Sequence, residues 1–343
     1  MKALRWYGRK DLRYEDMPVP SPAPGQIKVQ INLAGICGTD LKEYASGPNM
    51  IPGDRAPVVL GHEFAGIVVA AGAGVSEFNP GDRVTGVGYR YCGECFFCKR
   101  GQYNICRNGD FSGISVDGCM AEYMVVPAAS CYRIPDVVSD EAAALVEPLA
   151  VAIHSVRRGN VRPGDTVAIV GDGTIGLCTL MAARAAGAAA VFFIAKHKGR
   201  GKIAASLGAT EVIYLQDGDP VNEISKLTGD LGADISIECV GQPETPQLAV
   251  NLVRRGGTTV LTGVFEKPSS FHFGSVVVEE KNLVGNSIYV HEGRTAVSWL
   301  KDGRVDPRCL VTSVVPLKDA VEMGFERLLR EKESEIKILL KVP

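Results

Sequence analysis

Cys92, Cys95, Cys98 and Cys106 follow one another at the spacing Cys-x2-Cys-x2-Cys-x7-Cys, with Gly93 and Gly101 allowing tight bends between them. Four thiolates this close make a closed tetrahedral zinc site, and four protein ligands leave no open position, so such a zinc is structural. An iron–sulfur cluster takes the same ligands. A nucleic-acid-binding zinc ribbon needs a basic face, and only Arg90, Lys99, Arg100 and Arg107 lie close by. A second string, Gly171-Asp172-Gly173-Thr174-Ile175-Gly176, fits G-x-G-x-x-G. It follows the β-branched run Thr166 to Val170 and opens the helical stretch Leu177 to Ala186, the context that separates a dinucleotide-binding turn from a loop of glycines. Gly171 allows the tight turn, Gly173 the close approach of a pyrophosphate, and Gly176 the packing of helix on strand. The helix N-terminus favours the anion.

The acidic residue that binds the ribose 2′-hydroxyl is expected about 20 residues on, at the end of the second strand. That position is near Ala195, where no Asp or Glu stands; Lys196, His197, Lys198 and Arg200 follow. Losing the carboxylate removes repulsion of a 2′-phosphate and the cations attract it, so NADP(H) is expected over NAD(H). The other reading is a solvated basic loop. Thr174 and Ile175 inside the turn, and Val240 and Gly241 after the run Asp234 to Glu238, complete the cofactor-binding candidates. A less local set is Cys37 in Gly35-Ile-Cys-Gly-Thr-Asp40, His62-Glu63 in Gly61-His-Glu-Phe64, and Glu147 before Pro148. Alone, each is more often a core residue than a ligand. Cys119, Cys131, Cys178, Cys239 and Cys309 are scattered and expected in the apolar core.

The elements that must position these residues change in texture along the chain. Up to about residue 148, short β-like runs (Ile27 to Leu33, Phe64 to Ala71, Arg83 to Val87, Ala121 to Val126) are broken by Pro and Gly turns, which reads as an antiparallel β domain with few helices. From 149 to 288, strand and helix alternate. Runs at 166–170, 190–195, 211–214, 234–238, 258–262 and 282–288 predict a six-stranded, doubly wound parallel sheet. The tail, 289–343, carries a helix over Leu317 to Leu329 and a final strand over Ile336 to Val342, and can complete the first domain. The chain has 343 residues, 46% hydrophobic and 22% charged, with net charge −2, which suits about two folded domains and excludes the basic excess of a nucleic-acid or membrane-surface binder. The charged start has no signal-peptide core, and no apolar run reaches the ~18–20 residues of a membrane span, so a cytoplasmic protein is expected.

Gly-Ile-Cys-Gly-Thr-Asp, Gly-His-Glu-Phe-Ala-Gly, Pro-Gly-Asp-Arg-Val, the four-cysteine loop, Glu-Pro-Leu-Ala-Val-Ala and the glycine turn occur in one order over nearly the whole chain. In that order the chain resembles the zinc-dependent medium-chain alcohol dehydrogenases. The stretch Cys37-Gly-Thr-Asp-Leu-Lys-Glu-Tyr…Gly47-Pro…Ile51-Pro is most similar to the butanediol dehydrogenase branch, with sorbitol (polyol) and L-threonine 3-dehydrogenases as relatives. The resemblance implies an α/β protein: a GroES-like, mainly antiparallel β catalytic domain (1–148 and 289–343) and a Rossmann domain (149–288). It implies a catalytic zinc on Cys37 and His62, with Glu63 and Glu147 sharing the carboxylate place, so two zinc per chain. Thr39 would hand the alcohol proton outward, and Asp40 would fix the loop. Lys42 stands where relatives often carry a relay histidine, and His154 is expected to be a satisfied buried histidine. The implied reaction interconverts a secondary alcohol or vicinal diol and its ketone in a homodimer or homotetramer, with Leu283 to Ile288 at a subunit contact. A non-catalytic, NAD(P)H-binding zinc protein is the reading from another class.

Overall fold

The computed structural model describes residues 1–343. Contacts divide them into two compact units, Met1–Glu147 with Gly293–Pro343, and Pro148–Glu292. No helix is long and apolar enough to cross a membrane.

The first unit begins with the hairpin β1 (Lys2–Gly8) and β2 (Asp11–Asp16), followed by β3 (Gln26–Gly35), helix α1 (Gly38–Ser46), β4 (Val58–Val59), β5 (Glu63–Ala71) and β6 (Arg83–Gly86). Short strands β7 (Tyr89–Arg90) and β8 (Asp110–Phe111) pair at the base of the cysteine loop; β9 (Tyr123–Pro127), β10 (Cys131–Arg133) and α2 (Asp140–Ala144) follow. Strand β3 is the hub. Ile27, Val29, Ile31 and Leu33 alternate inward, the period-2 pattern of a half-buried strand. It pairs antiparallel with β5 and β9. The expected strand over 121–126 starts later, at Tyr123, because Ala121 makes only an isolated bridge to Ala3.

The second unit takes most of α3 (Val146–Arg158), then β11 (Thr166–Val170), α4 (Thr174–Ala185), β12 (Ala190–Ala195), α5 (Lys198–Ser206), β13 (Glu211–Tyr214), α6 (Pro220–Leu227), β14 (Ala233–Glu238), α7 (Thr245–Leu252), β15 (Val253–Leu261), α8 (Gly274–Val278) and β16 (Asn282–Gly285). All six strands are parallel, in the order β13-β12-β11-β14-β15-β16. Sheet order reverses between β11 and β14, the switch point at whose carboxyl ends ligands bind in doubly wound folds. The last strand stops at Gly285 rather than 288, and Ile288 takes a left-handed φ of 45°.

In the tail, α9 (Glu292–Lys301) precedes β17 (Val311–Pro316), and β18 (Lys337–Lys341) pairs antiparallel with β3 and parallel with β17. The tail thus supplies two strands of the first unit's seven-stranded sheet. The helix expected over 317–329 is irregular: a 3-10 turn at Leu317–Asp319, a π-helical stretch at 320–326, then α10 (Arg327–Arg330). The wider turn sets Ala320, Gly324 and Phe325 together on the buried side, where Gly324 lies against Ile36 and Phe325 joins Trp6, Ile27 and Phe64 in the core.

Candidate functional site

Antiparallel pairing of β3 with β5 ends at Gly35 opposite Glu63, so the chain leaving β3 at Cys37 lies beside the chain entering β5 through His62. Gly35 is required there: a Cβ would sit 2.1 Å from Glu63 Oε2. Cys37 caps α1, and the buried Asp40 ties the two loops together. Its Oδ2 accepts the Cys37 N–H (2.9 Å) and its Oδ1 the Gly61 N–H (3.2 Å). The result brings one donor atom each of Cys37, His62 and Glu63 within 4.8 Å of one another. Thr39 Oγ1 lies 3.5 Å from His62 Nε2, and Phe111 packs edge-on against the imidazole at 4.9 Å. Lys42 is half-buried on α1, and its carbonyl accepts the Ser46 hydroxyl.

Acidic groups outnumber basic ones in the cluster: one buried ammonium, Lys337, faces Cys37, Asp40, Glu63 and Glu147. Burial pushes the Cys37 thiol up to about 12, and the Glu63 charge adds to this. Burial likewise raises Asp40. Glu147 lies outside the tight triad but feels its charges. Burial pushes it up to about 8, His62 opposes the rise, and Glu63 and Cys37 reinforce it. His62 Nδ1 is buried with no hydrogen-bond partner. A sulfur, an imidazole nitrogen and carboxylate oxygens, gathered with an unpartnered ring atom and an excess of acidic groups, fit a zinc ion, and three protein ligands leave an open position.

Sequence reasoning overlooked Lys337. Its Nζ is buried (1% exposed) and donates to both Glu63 oxygens (2.8 and 2.6 Å) and to the Ile36 carbonyl (2.9 Å). The signal was present: one lysine inside the apolar run Ile336-Lys-Ile-Leu-Leu340. A lone charge in a buried strand implies a buried partner.

The four-cysteine loop fits its expected metal as well. Sulfur–sulfur distances are 3.5 Å (Cys92–Cys106), 3.8 Å (Cys95–Cys106) and 4.0 Å (Cys92–Cys98). A tetrahedron with Zn–S of about 2.3 Å has edges of about 3.8 Å. Gly93 and Gly101 adopt left-handed φ (77° and 73°) at the bends. Backbone N–H groups of Cys98 and Arg107 hold the Cys95 thiol down at about 6, and those of Glu94 and Cys95 lower Cys92. No cysteine is in a disulfide. Of the scattered cysteines, Cys119, Cys131 and Cys178 are buried as expected and Cys239 is half-buried. Cys309 is a correction: it is exposed. In its 3-10 turn, Pro307 and Leu310 take the buried side and turn Cys309 outward.

In the second unit, Gly171 has φ 118°, and a Cβ on Gly176 would lie 1.8 Å from the Gly171 carbonyl oxygen, so both glycines are geometric requirements. Gly173 caps α4, whose first residues are Thr174 and Ile175. Two carboxylates that sequence reasoning did not single out fix the surrounding loops. Glu238, fully buried, accepts N–H groups of Val240 (2.7 Å) and Gly241 (2.8 Å), the Thr245 hydroxyl (2.8 Å) and the Gly263 N–H (3.2 Å). Asp172 (7% exposed) accepts the N–H groups of Lys196 (2.9 Å) and His197 (2.7 Å), just past Ala195. Lys196 and Lys198 are exposed, and Arg200 Nη1 lies 3.8 Å from Asp172. His154 Nδ1 meets Glu292 at 3.1 Å, so the histidine is satisfied as expected, though half-buried rather than buried.

A β unit with an open S/N/O donor set and a closed four-sulfur lobe, together with a parallel-sheet unit carrying a glycine turn, defines a zinc- and dinucleotide-linked dehydrogenase. Residues 23–136 match the alcohol dehydrogenase GroES-like domain, and residues 174–302 match the zinc-binding dehydrogenase domain. The chain is 36% identical to (R,R)-butanediol dehydrogenase of Bacillus subtilis (strain 168), covering 99% of each chain, and 33% identical to sorbitol dehydrogenase of the same organism, covering 99% of this chain and 97% of that one. The X-ray crystal structure of 2R,3R-butanediol dehydrogenase from Bacillus subtilis superposes with a TM-score of 0.91 at 35% identity over 99% of both chains. The chain belongs to the zinc-dependent medium-chain alcohol dehydrogenase family and is an oxidoreductase.

Proposed function

We propose that this chain reversibly oxidises a secondary alcohol or vicinal diol of the 2,3-butanediol type to the ketone. The convergence of Cys37, His62 and Glu63 donor atoms within 4.8 Å carries this reading. Cys37 and His62 hold the catalytic zinc, Glu63 and Glu147 share the carboxylate place, and Cys92, Cys95, Cys98 and Cys106 hold a second, structural zinc. When bound, zinc supplies Lewis acidity toward the substrate oxygen and the nicotinamide supplies the hydride acceptor. Thr39 Oγ1, beside His62, carries the alcohol proton away, and Asp40 keeps the Cys37 and His62 loops in register. Lys42 is a weaker candidate for extending that path. Lys337 holds Glu63 so that its carboxylate cannot rotate out of the cluster.

Residues 1–147 and 293–343 form the zinc and substrate domain, and 148–292 the dinucleotide domain. Gly171, Gly173, Thr174, Ile175 and Gly176 hold the pyrophosphate, Val240 and Gly241 border the cofactor, and Ala195, Lys196, Lys198 and Arg200 meet the adenosine ribose. Three cations against the carboxylates of Asp172 and Asp217 favour NADP(H) over NAD(H) by a modest margin. The absence of disulfides fits a reducing, cytoplasmic compartment. A homodimer or homotetramer is supported by apolar groups exposed near β16: Phe273, Val277, Val278 and Leu283.

The test is steady-state kinetics of wild type and His62→Ala on diols, polyols, L-threonine and simple secondary alcohols, each with NADPH-linked and NADH-linked assays. The wild type should be most efficient on vicinal diols, and His62→Ala should lose about a thousandfold in kcat while still binding the dinucleotide. A variant keeping most of its activity would refute the zinc mechanism. A polyol or threonine optimum would move the substrate to the relatives' class.

A further inference from the structure

The end of the second strand lacks the acidic residue expected to read the ribose, yet the structure places a carboxylate there. It comes from the glycine turn. Asp172 Oδ2 accepts the backbone N–H groups of Lys196 (2.9 Å) and His197 (2.7 Å), immediately after Ala195 closes β12. Its two oxygens lie 3.2 and 3.1 Å from His197 Nδ1, and Arg200 Nη1 is 3.8 Å from Oδ1. The side chains involved are well enclosed: 8% exposed for Asp172, 16% for His197 and 13% for Arg200. Lys198 in turn lies 3.8 Å from Asp217. The backbone N–H groups of Lys196 and His197, and two of the three cations, Arg200 and Lys198, are therefore already turned toward carboxylates.

We infer that Asp172, the second residue of the glycine turn, is the specificity-determining residue for the adenosine ribose: its negative charge, set among His197 and Arg200, weakens binding of a 2′-phosphate and so limits discrimination between NADP(H) and NAD(H). The inference rests on the dinucleotide-binding reading given above. Two physical facts support the sign. A carboxylate close to an incoming phosphate raises the cost of binding it, and the low exposure of Asp172 reduces screening of that repulsion by water. Asp172 also draws Arg200, the best-shaped phosphate ligand of the turn, toward itself. The capping function and the charge are separable, since a neutral amide oxygen can still accept the two N–H groups.

The experiment is calorimetric titration of the full-length, zinc-loaded protein with 2′,5′-ADP and with 5′-AMP, which differ only in the 2′-phosphate, in wild type and Asp172→Asn. In the variant, affinity for 2′,5′-ADP relative to 5′-AMP should rise about tenfold, with the gain shrinking at high salt. The same shift should appear in fluorescence titrations with NADPH and NADH. A ratio unchanged to within about twofold means the carboxylate is only a cap, and overturns the inference. A fall in the ratio means Asp172 orients His197 and Arg200 for the phosphate, and overturns it too. If neither nucleotide binds the wild type, the dinucleotide reading fails and the inference with it, an outcome distinct from binding with an unchanged ratio. Asp172→Ser, which removes the charge and shortens the side chain, should shift the ratio in the same direction and serves if the amide variant folds poorly.

Discussion

Lys337 shows how one side chain in this protein answers for another. Its ammonium and the Glu63 carboxylate are both buried, and removing one partner leaves an uncompensated charge. Lys337→Met should therefore cost about 3 kcal/mol or more of unfolding free energy, and Glu63→Gln in the same chain should return part of it. Urea denaturation of the two single variants and the double variant measures this; additive losses would mean that the pair is not coupled. A second residue-scale expectation concerns Glu292. Burial raises its carboxyl, but hydrogen bonds from His154 and the Val290 N–H outweigh this and hold it down at about 2, below its ordinary 4.5. A depressed folded value means that the ionised form stabilises the fold. The contribution is complete above pH 4.5 and is lost as pH falls toward about 2. After allowance for solvent screening it is on the order of 2 kcal/mol. The stability gap between wild type and Glu292→Gln should narrow as pH is lowered from 6 through that window, and chemical denaturation midpoints will report it.

At the scale of elements, the cysteine loop is a small lobe that buries almost none of its apolar side chains: Phe96 and Ile105 are exposed. Two short strands, β7 and β8, and the stacked pair Tyr91–Tyr103 are its supports besides the four sulfurs. Such a lobe takes its order from metal binding. If the proposed pair of zinc sites is filled, Cys95→Ser should remove one ion of the two from the purified chain and lower the thermal midpoint by several degrees, about what a 2 kcal/mol loss produces. Metal analysis by mass spectrometry and a thermal scan check both. This lobe was fully legible in the sequence because its ligands are neighbours along the chain. The glycine turn was legible for the same reason: Gly171 and Gly176 meet across a single turn. The π-helical stretch at 320–326 was not. It sets Gly324 against Ile36, a contact far away in sequence that no local pattern announces.

At the scale of the molecule, β16 is an edge strand of the six-stranded sheet, and Val277 and Val278 on the adjacent α8 are 74% and 82% exposed. An apolar edge of this kind is covered in proteins that remain monodisperse. Light scattering should give a mass at least twice that of one chain, and Val277→Asp with Val278→Asp should reduce it to one. A wild-type mass of one chain would remove the homo-oligomer from the reading.

What the sequence determined alone was local: the four-sulfur site, the glycine turn with its flanking strand and helix, the alternation of strands and helices that makes a parallel sheet, and the missing acid at Ala195. Each depends on residues close enough in the chain for spacing to fix their geometry. Through family resemblance it also indicated Cys37, His62, Glu63 and Glu147, which no spacing rule joins. Only the tertiary structure decided the groups that meet by strand pairing and loop return: the β3–β5 register that sets Cys37 beside His62, Lys337 arriving from β18 to hold Glu63, Glu238 bracing the loop at Val240, and Asp172 reaching the turn after Ala195. Buried charges must find partners, and which partner they find is settled by the fold rather than by distance along the chain.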